Sequence, residues 1–256
     1  MFLLLMLTTA VAAVRGMWSP CGLSMLSSLN PVSERARGHR FWVTACWYVA
    51  GSVAGGALLG AGCALGAAGF GRLGTVSTLV WTVALTGAAV AALSDARVGG
   101  WSLPMHPRQV DERWLLRYRR WIYAGGYGVQ IGTGFATYIM TAGVYLTALL
   151  AILNGSAREA LVAGLAFGLV RGASIAVAGA AHDPERLRAL LGRVESWAPA
   201  SALIAGGWCV AVAGTAAWAL AGPLLAAAVG TGLTALAAAR RLTGPFRARR
   251  PVTAGR

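Results

Sequence analysis

The stretch FWVTACWYVAGSVAGGALLGAGCALGAA, residues 41–68, carries no charged side chain. At about 1.5 Å per residue it makes a helix of about 42 Å, longer than the hydrocarbon core of a bilayer, about 30 Å. A helix of that length in a soluble domain needs a polar stripe, and here small and apolar residues occupy every face. The fold class that follows is an all-α, polytopic membrane bundle. Comparable runs lie at residues 2–29, 73–93, 121–153, 160–181 and 198–239. Gly222-Pro223 divides the last into 198–221 and 223–239, because proline lacks a backbone donor and clashes with the preceding turn. Seven spans are expected, forming one bundle over residues 1–239 with a basic tail at 240–256.

The whole chain agrees with this stretch. Of 256 residues, 57% are hydrophobic and only 12% charged, with 35 glycines, whereas a soluble domain carries about 25% charged residues. An ordinary soluble domain and a disordered chain are both excluded. The formal net charge is +14, and all 22 basic residues are arginine, a usage that fits a bacterial membrane protein. These arginines sit in short connections between apolar runs and not on one basic domain, so they read as topology signals and not as a nucleic-acid surface.

Their distribution alternates. Arg35, Arg37 and Arg40 fill the first connection, and Arg72 stands alone in the second. The third holds Arg97, Arg108, Arg113, Arg117, Arg119 and Arg120, the fourth only Arg158, and the fifth Arg186, Arg188 and Arg193. Arginine-rich connections stay in the cytoplasm. The expected topology therefore has its N-terminus outside an inner or plasma membrane and its C-terminal tail in the cytoplasm. The juxtamembrane cluster of Arg113, Arg117, Arg119 and Arg120 suits anionic headgroups, so membrane lipids are expected partners.

Glycine recurs at small-xxx-small spacing: Gly51 and Gly55, Gly56 and Gly60, Gly62 and Gly66 in the second span, Gly128 and Gly132 in the fourth, and Gly164, Gly168 and Gly172 in the fifth. Such ladders let helix backbones approach where lipid supplies no hydrophobic drive. The second and fifth spans share the ladder, lie three spans apart and run in opposite directions. That pattern predicts an inverted 3+3 repeat with one added C-terminal helix.

The chemistry-bearing stretch is Trp18-Ser19-Pro20-Cys21-Gly22. Pro20 inside a span frees a carbonyl and breaks the helix, which a membrane tolerates only where neighbours or water satisfy the exposed groups. Cys21 then starts the following half-helix, where the dipole favours a thiolate and burial opposes it. By depth, Cys46 near the start of the second span is the thiol within reach of Cys21. Cys63 lies about 25 Å further along that helix.

Ser19-Pro20-Cys21 in a first, N-out helix resembles the first-helix signature of the CcdA/DsbD transmembrane family, and Phe167-Gly168-Leu169-Val170-Arg171-Gly172 is similar to a glycine-patterned segment of its fifth helix. The resemblance implies a thiol-disulfide reductant conduit of cytochrome c biogenesis. It also implies Cys21 as the reactive thiol, a cytoplasmic thioredoxin-like donor and an extracytoplasmic thiol acceptor. The chain departs from that family in the fourth span, where residues 125–134 hold no cysteine, leaving Cys46 as the exchange partner within this chain.

Arg171 falls near the middle of the fifth span, where a charge costs about 2.5–3.5 kcal/mol. Its expected carboxylate partner is missing, because the acidic residues all fall in connections or at span ends. Arg171 is thus expected to bind carbonyls released at a broken helix, near Pro20 or in residues 125–134, or to receive an anion. Arg15 poses the same problem. Gln130, Thr133, Thr137 and Thr141, with Tyr127 and Tyr138, are candidates for a polar path in the fourth span, and Pro20, Arg171, Gln130, Gly132 and Gly134 for a binding or structural site. His39, His106 and His182 fall in connections and read as solvated loop side chains. No metal site and no cofactor are expected. Two further functions fit the same residues: a transporter of a small anionic solute using Arg171 and the glycine-broken helices, and a non-catalytic membrane subunit that binds a partner.

Overall fold

The computed structural model describes residues 1–74, 76–104, 110–111 and 113–243, with the backbone alone for 240–243. The tail beyond residue 243 and His106 lie outside the described residues. In chain order the helices are α1 (Phe2–Arg15), α2 (Pro20–Ser28), α3 (Pro31–Ala36), α4 (Phe41–Arg72), α5 (Ser77–Asp95) and α6 (Trp114–Arg117). They continue with α7 (Arg120–Gly132), α8 (Gly143–Leu153), α9 (Ala157–Ala173), α10 (Pro184–Ser196), α11 (Ala198–Ala221) and α12 (Pro223–Thr243). Among the described residues the fold is all-helical.

The breaks follow from local chemistry. Phe2–Trp18 and Pro20–Ser28 meet at 64°. Ser19 is extended there, and its hydroxyl accepts from the Gly22 amide at 3.1 Å, capping a helix whose first residue is Pro20. Asn30 caps α3 in the same way, accepting from Val32 and Ser33. Gly222 has φ +82°, beyond the reach of most side chains, and Pro223 opens α12, so the expected division between the last two helices is present.

Two expected spans take a different form. Residues 121–153 are not one helix, because α7 stops at Gly132, Gly134 turns with φ +71°, and α8 begins only at Gly143. The second half is held by Asp95 at the end of α5, whose carboxylate accepts from the Ala142 amide at 2.7 Å and the Thr141 hydroxyl at 2.5 Å. An acidic side chain at a helix start satisfies exposed amides and favours the dipole. The fifth run also changes character, since α9 passes into a 3₁₀ segment, Ser174–Ala180.

Four helical stretches are long and apolar enough to cross a membrane, and five if the bent first pair is one span. The remaining apolar helices, Gly143–Leu153 and Pro223–Ala239, are shorter. By length alone the structure supplies fewer spans than the expected seven. The outer surface suits lipid: Leu65 and Leu58 on α4 are 79% and 61% exposed, and Trp42, Trp121, Trp197 and Trp218 are all more than half exposed.

At the centre, α4 packs on α7 along one side and on α9 along another, and glycine makes both contacts. A Cβ at Gly51 would lie 2.1 Å from the Gly125 carbonyl oxygen, and one at Gly132 would lie 2.0 Å from that of Ser52. On the other side, a Cβ at Gly56 would lie 2.3 Å from the Gly164 carbonyl oxygen. The Ser52 hydroxyl adds a hydrogen bond to the Gly168 carbonyl at 2.8 Å. The Gly51–Gly55 and Gly56–Gly60 steps of α4 and the glycines of α7 and α9 are thus contact faces, as their spacing predicts, whereas Gly62 faces open space.

Candidate functional site

Arg171, in the last turn of α9, is 5% exposed. The glycine contact between α4 and α9 draws it inward, and its guanidinium lies across the backbone of Gly16, where the first helix breaks. A Cβ at position 16 would sit 1.6 Å from Nη1, so only glycine leaves the guanidinium its seat. Among the described residues its Nε has no hydrogen-bond acceptor and no carboxylate pairs with it. Its electrostatic neighbours are Tyr48 on α4 and Cys21 on α2.

Cys21 and Tyr48 belong to a buried cluster with Tyr123, Tyr127, Ile131 and Ile175. The cluster is aromatic and closely ordered. Trp114 stacks on Tyr127 at 5.8 Å, and the Tyr127 hydroxyl donates to the Asp111 carbonyl at 2.9 Å. Arg171 therefore faces phenol rings and a thiol across a kinked backbone, an environment with hydrogen-bonding capacity and, among the described residues, no paired carboxylate. A buried cation so placed attracts an anion or a dipole.

The expected site residues divide. Pro20 opens α2 and Cys21 is buried beside Arg171, but Cys46 is exposed and lies outside that cluster. Gln130 is half-buried in the last turn of α7, Gly132 lies against Ser52, and Gly134 turns against the Phe167 ring. Thr133, Thr137 and Thr141 fall in the non-helical segment between α7 and α8. The helical row expected of them does not form. Thr133 bonds the Gln130 carbonyl and Thr141 bonds Asp95, while the Thr137 hydroxyl is buried without a partner among the described residues.

Two polar groupings escaped the sequence reading. Glu34, expected in a solvated connection, is 0% exposed. It accepts from the Thr44 hydroxyl at 2.5 Å, the Tyr123 hydroxyl at 3.2 Å and Arg37 at 2.8 Å, with His39 at 3.6 Å. His39 also meets the Tyr123 hydroxyl at 3.2 Å, so it is not the solvated loop side chain expected. The available signal was Asn30-Pro31, which fixes α3 and turns Glu34 inward. Glu34→Gln is expected to cost about 1–3 kcal/mol, as partners lose an ionised acceptor; a fall in unfolding temperature of the purified protein in detergent checks it. The second grouping answers the question of Arg15, which donates to the Ser201 hydroxyl at 2.7 Å and lies in the field of Asp95. No group of three metal-ligating side chains occurs among the described residues.

No protein-family model matches the chain, and no solved structure matches it. Curated proteins do. The chain is similar to the methylamine utilization protein MauF. The match to MauF of Paracoccus denitrificans is 32% identical over 184 residues, covering 69% of this chain and 64% of that protein. MauF of Paracoccus versutus is 33% identical over 168 residues, 62% of this chain and 59% of that protein. MauF of Methylorubrum extorquens is 32% identical over 177 residues, 68% of this chain and 61% of that protein. The chain thus spans about three fifths of the length of these relatives.

These matches correct the resemblance to the CcdA/DsbD family. That likeness was specific only at Ser19-Pro20-Cys21, three residues whose local role is to cap and start α2, and the chain lacks the fourth-span cysteine. A similarity running through 184 residues points instead to proteins named for methylamine utilization. The reductant conduit, with its thioredoxin-like donor and thiol acceptor, rested on that resemblance and finds no support in these matches.

Proposed function

We propose that this chain is a non-catalytic, multi-pass accessory protein of methylamine utilization, a counterpart of MauF that works by holding a partner at the membrane. The observation that carries this reading is the 32% identity over 184 residues to a protein of that name. The helical bundle with its apolar exterior supports a membrane setting. In this reading residues 1–239 form one bundle and 240–256 a basic tail. The divided α7–α8 segment and the shorter α12 complete seven spans, with the N-terminus outside and the C-terminus in the cytoplasm. Membrane lipids surround the bundle, and the Arg-rich connections and tail offer the cytoplasmic contacts.

Complementation tests the proposal. Expression of this chain in Paracoccus denitrificans lacking its own MauF is expected to restore growth on methylamine as sole carbon source. Absence of growth, with the chain verified in the membrane, refutes it.

A second reading, transport of a small anionic solute, is favoured by one observation: the Arg171 Nε is buried without an acceptor. In that reading Arg171 at the Pro20 break is the midplane site, with Gln130, Gly132 and Gly134 on the opposite broken span. Uptake of a labelled carboxylate or phosphate into vesicles holding the purified chain, and its loss in Arg171→Leu, is the expected result. Equal uptake by both forms excludes it.

A further inference from the structure

α1 and α5 finish, and α11 begins, at the same end of the bundle, and there Arg15, Asp95, Arg97, Tyr138, Met140 and Ala202 enclose a cavity of about 260 Å³. Two guanidinium groups face one carboxylate in it. That carboxylate is already committed, because both Asp95 oxygens accept from the start of α8. The cavity therefore presents net positive charge. Arg15 is 8% exposed and fixed by Ser201, so it cannot swing out to water. Arg97 has φ +50°, and among the described residues no other non-glycine has positive φ. That conformation ends α5, with the Arg97 amide donating to the Ser94 carbonyl, and leaves the exposed Arg97 at the mouth of the cavity.

The cavity does not stand alone. A groove of about 290 Å³ shares Asp95 and Ala202 with it and runs between α5, α11 and α12. Away from the shared wall its lining is almost wholly apolar, including Leu203, Gly206, Val210 and Leu233. Leu203, in the wall of this groove, is about half exposed on the lipid-suited exterior of the bundle. A cationic cavity joined to an apolar groove at one end of a membrane bundle complements an amphiphile with an anionic head and a hydrocarbon tail. The cavity is also smaller than an ordinary solute pocket, about 300–1,000 Å³, which fits a headgroup better than a whole substrate.

The geometry points to a bound anionic phospholipid, its phosphate between Arg15 and Arg97 and one acyl chain along the groove between α5, α11 and α12. The lipid fastens the ends of α1 and α5 to α11 and α12, coupling the glycine-packed centre to the two C-terminal helices. This assignment does not depend on the methylamine reading, and its test does not use growth.

The full chain, purified in a neutral detergent, is titrated with phosphatidylglycerol and with phosphatidylcholine of matched acyl chains, and bound lipid is counted by native mass spectrometry. Phosphatidylglycerol is expected to bind about tenfold more tightly, because both lipids carry the phosphate but phosphatidylcholine also brings a trimethylammonium cation against the two arginines. Arg97→Asn, which keeps a residue tolerant of positive φ, removes that preference. Gly206→Leu fills the groove without a clash, since nothing lies within 4 Å of a Cβ there, and lowers the binding of both lipids while the helical content is unchanged. Wild-type phosphatidylglycerol binding by both variants overturns the assignment. So does displacement of the lipid's effect by millimolar inorganic phosphate together with an inert Gly206→Leu, which would make the cavity a site for a free anion.

Discussion

Gly56→Val is expected to prevent the bundle from forming, whereas Gly62→Val on the same helix leaves it intact. At position 56 the new Cβ would lie 2.3 Å from the Gly164 carbonyl oxygen and 2.8 Å from the Gly168 backbone. Backbone atoms cannot turn aside as a side chain can, so α4 and α9 must separate. With them goes the Ser52 to Gly168 hydrogen bond and the packing of both helices. Overpacking that side chains can absorb already costs about 1–3 kcal/mol; here the loss is expected at about 3 kcal/mol or more. Gly62 faces open space, with nothing within 4 Å of its Cβ, so the same added volume is harmless. Size-exclusion profiles and unfolding temperatures of the two variants in one detergent check the contrast.

The second large effect couples Gly16 to Arg171. Arg171→Leu is expected to fold at least as well as the parent, by up to about 1–4 kcal/mol, because it removes a buried cation that no carboxylate pairs with. Gly16→Ala alone pushes Nη1 from its seat, since the two atoms would be 1.6 Å apart. The displaced guanidinium then meets the aromatic cluster around Tyr48 and Tyr127. In the Arg171→Leu background the shorter side chain does not reach Gly16, and the same alanine costs little. The double-mutant cycle is therefore expected to show an interaction of about 1–3 kcal/mol. Additive effects of the two substitutions would mean that Arg171 does not rest on the helix break.

Much of this was readable from residue type and spacing. The uncharged stretch at 41–68 fixes α4 as a long apolar helix, Gly222-Pro223 separates α11 from α12, and Pro20 bends the first helix. The glycine ladder gave the contact faces of α4, α7 and α9. What composition could not reveal depended on partners distant in the chain. Residues 121–153 are apolar enough for one continuous helix, and the division into α7 and α8 rests on Asp95, far back in sequence, reaching the Ala142 amide. The burial of Glu34 depends likewise on Thr44 and Tyr123 closing over it. For the candidate site, Arg171 was evident as a charge inside an apolar run with the Pro20 break as one expected partner, and its seat on the Gly16 backbone was not. Depth along a helix says nothing of the face a side chain takes: Cys21 is buried and Cys46 is exposed. The short Ser-Pro-Cys motif misled for a related reason: three residues suffice to cap a helix, and that need arises in unrelated proteins.

If Arg171 at the broken helix is where this bundle does its work, its loss must separate folding from function. The most direct measurement is growth on methylamine of Paracoccus denitrificans lacking its own MauF, complemented with this chain or with Arg171→Leu, the membrane level of each form being measured in the same cultures. The expected result is growth with the parent chain and none with Arg171→Leu at an equal level in the membrane. Equal growth with both forms would contradict a central role for Arg171.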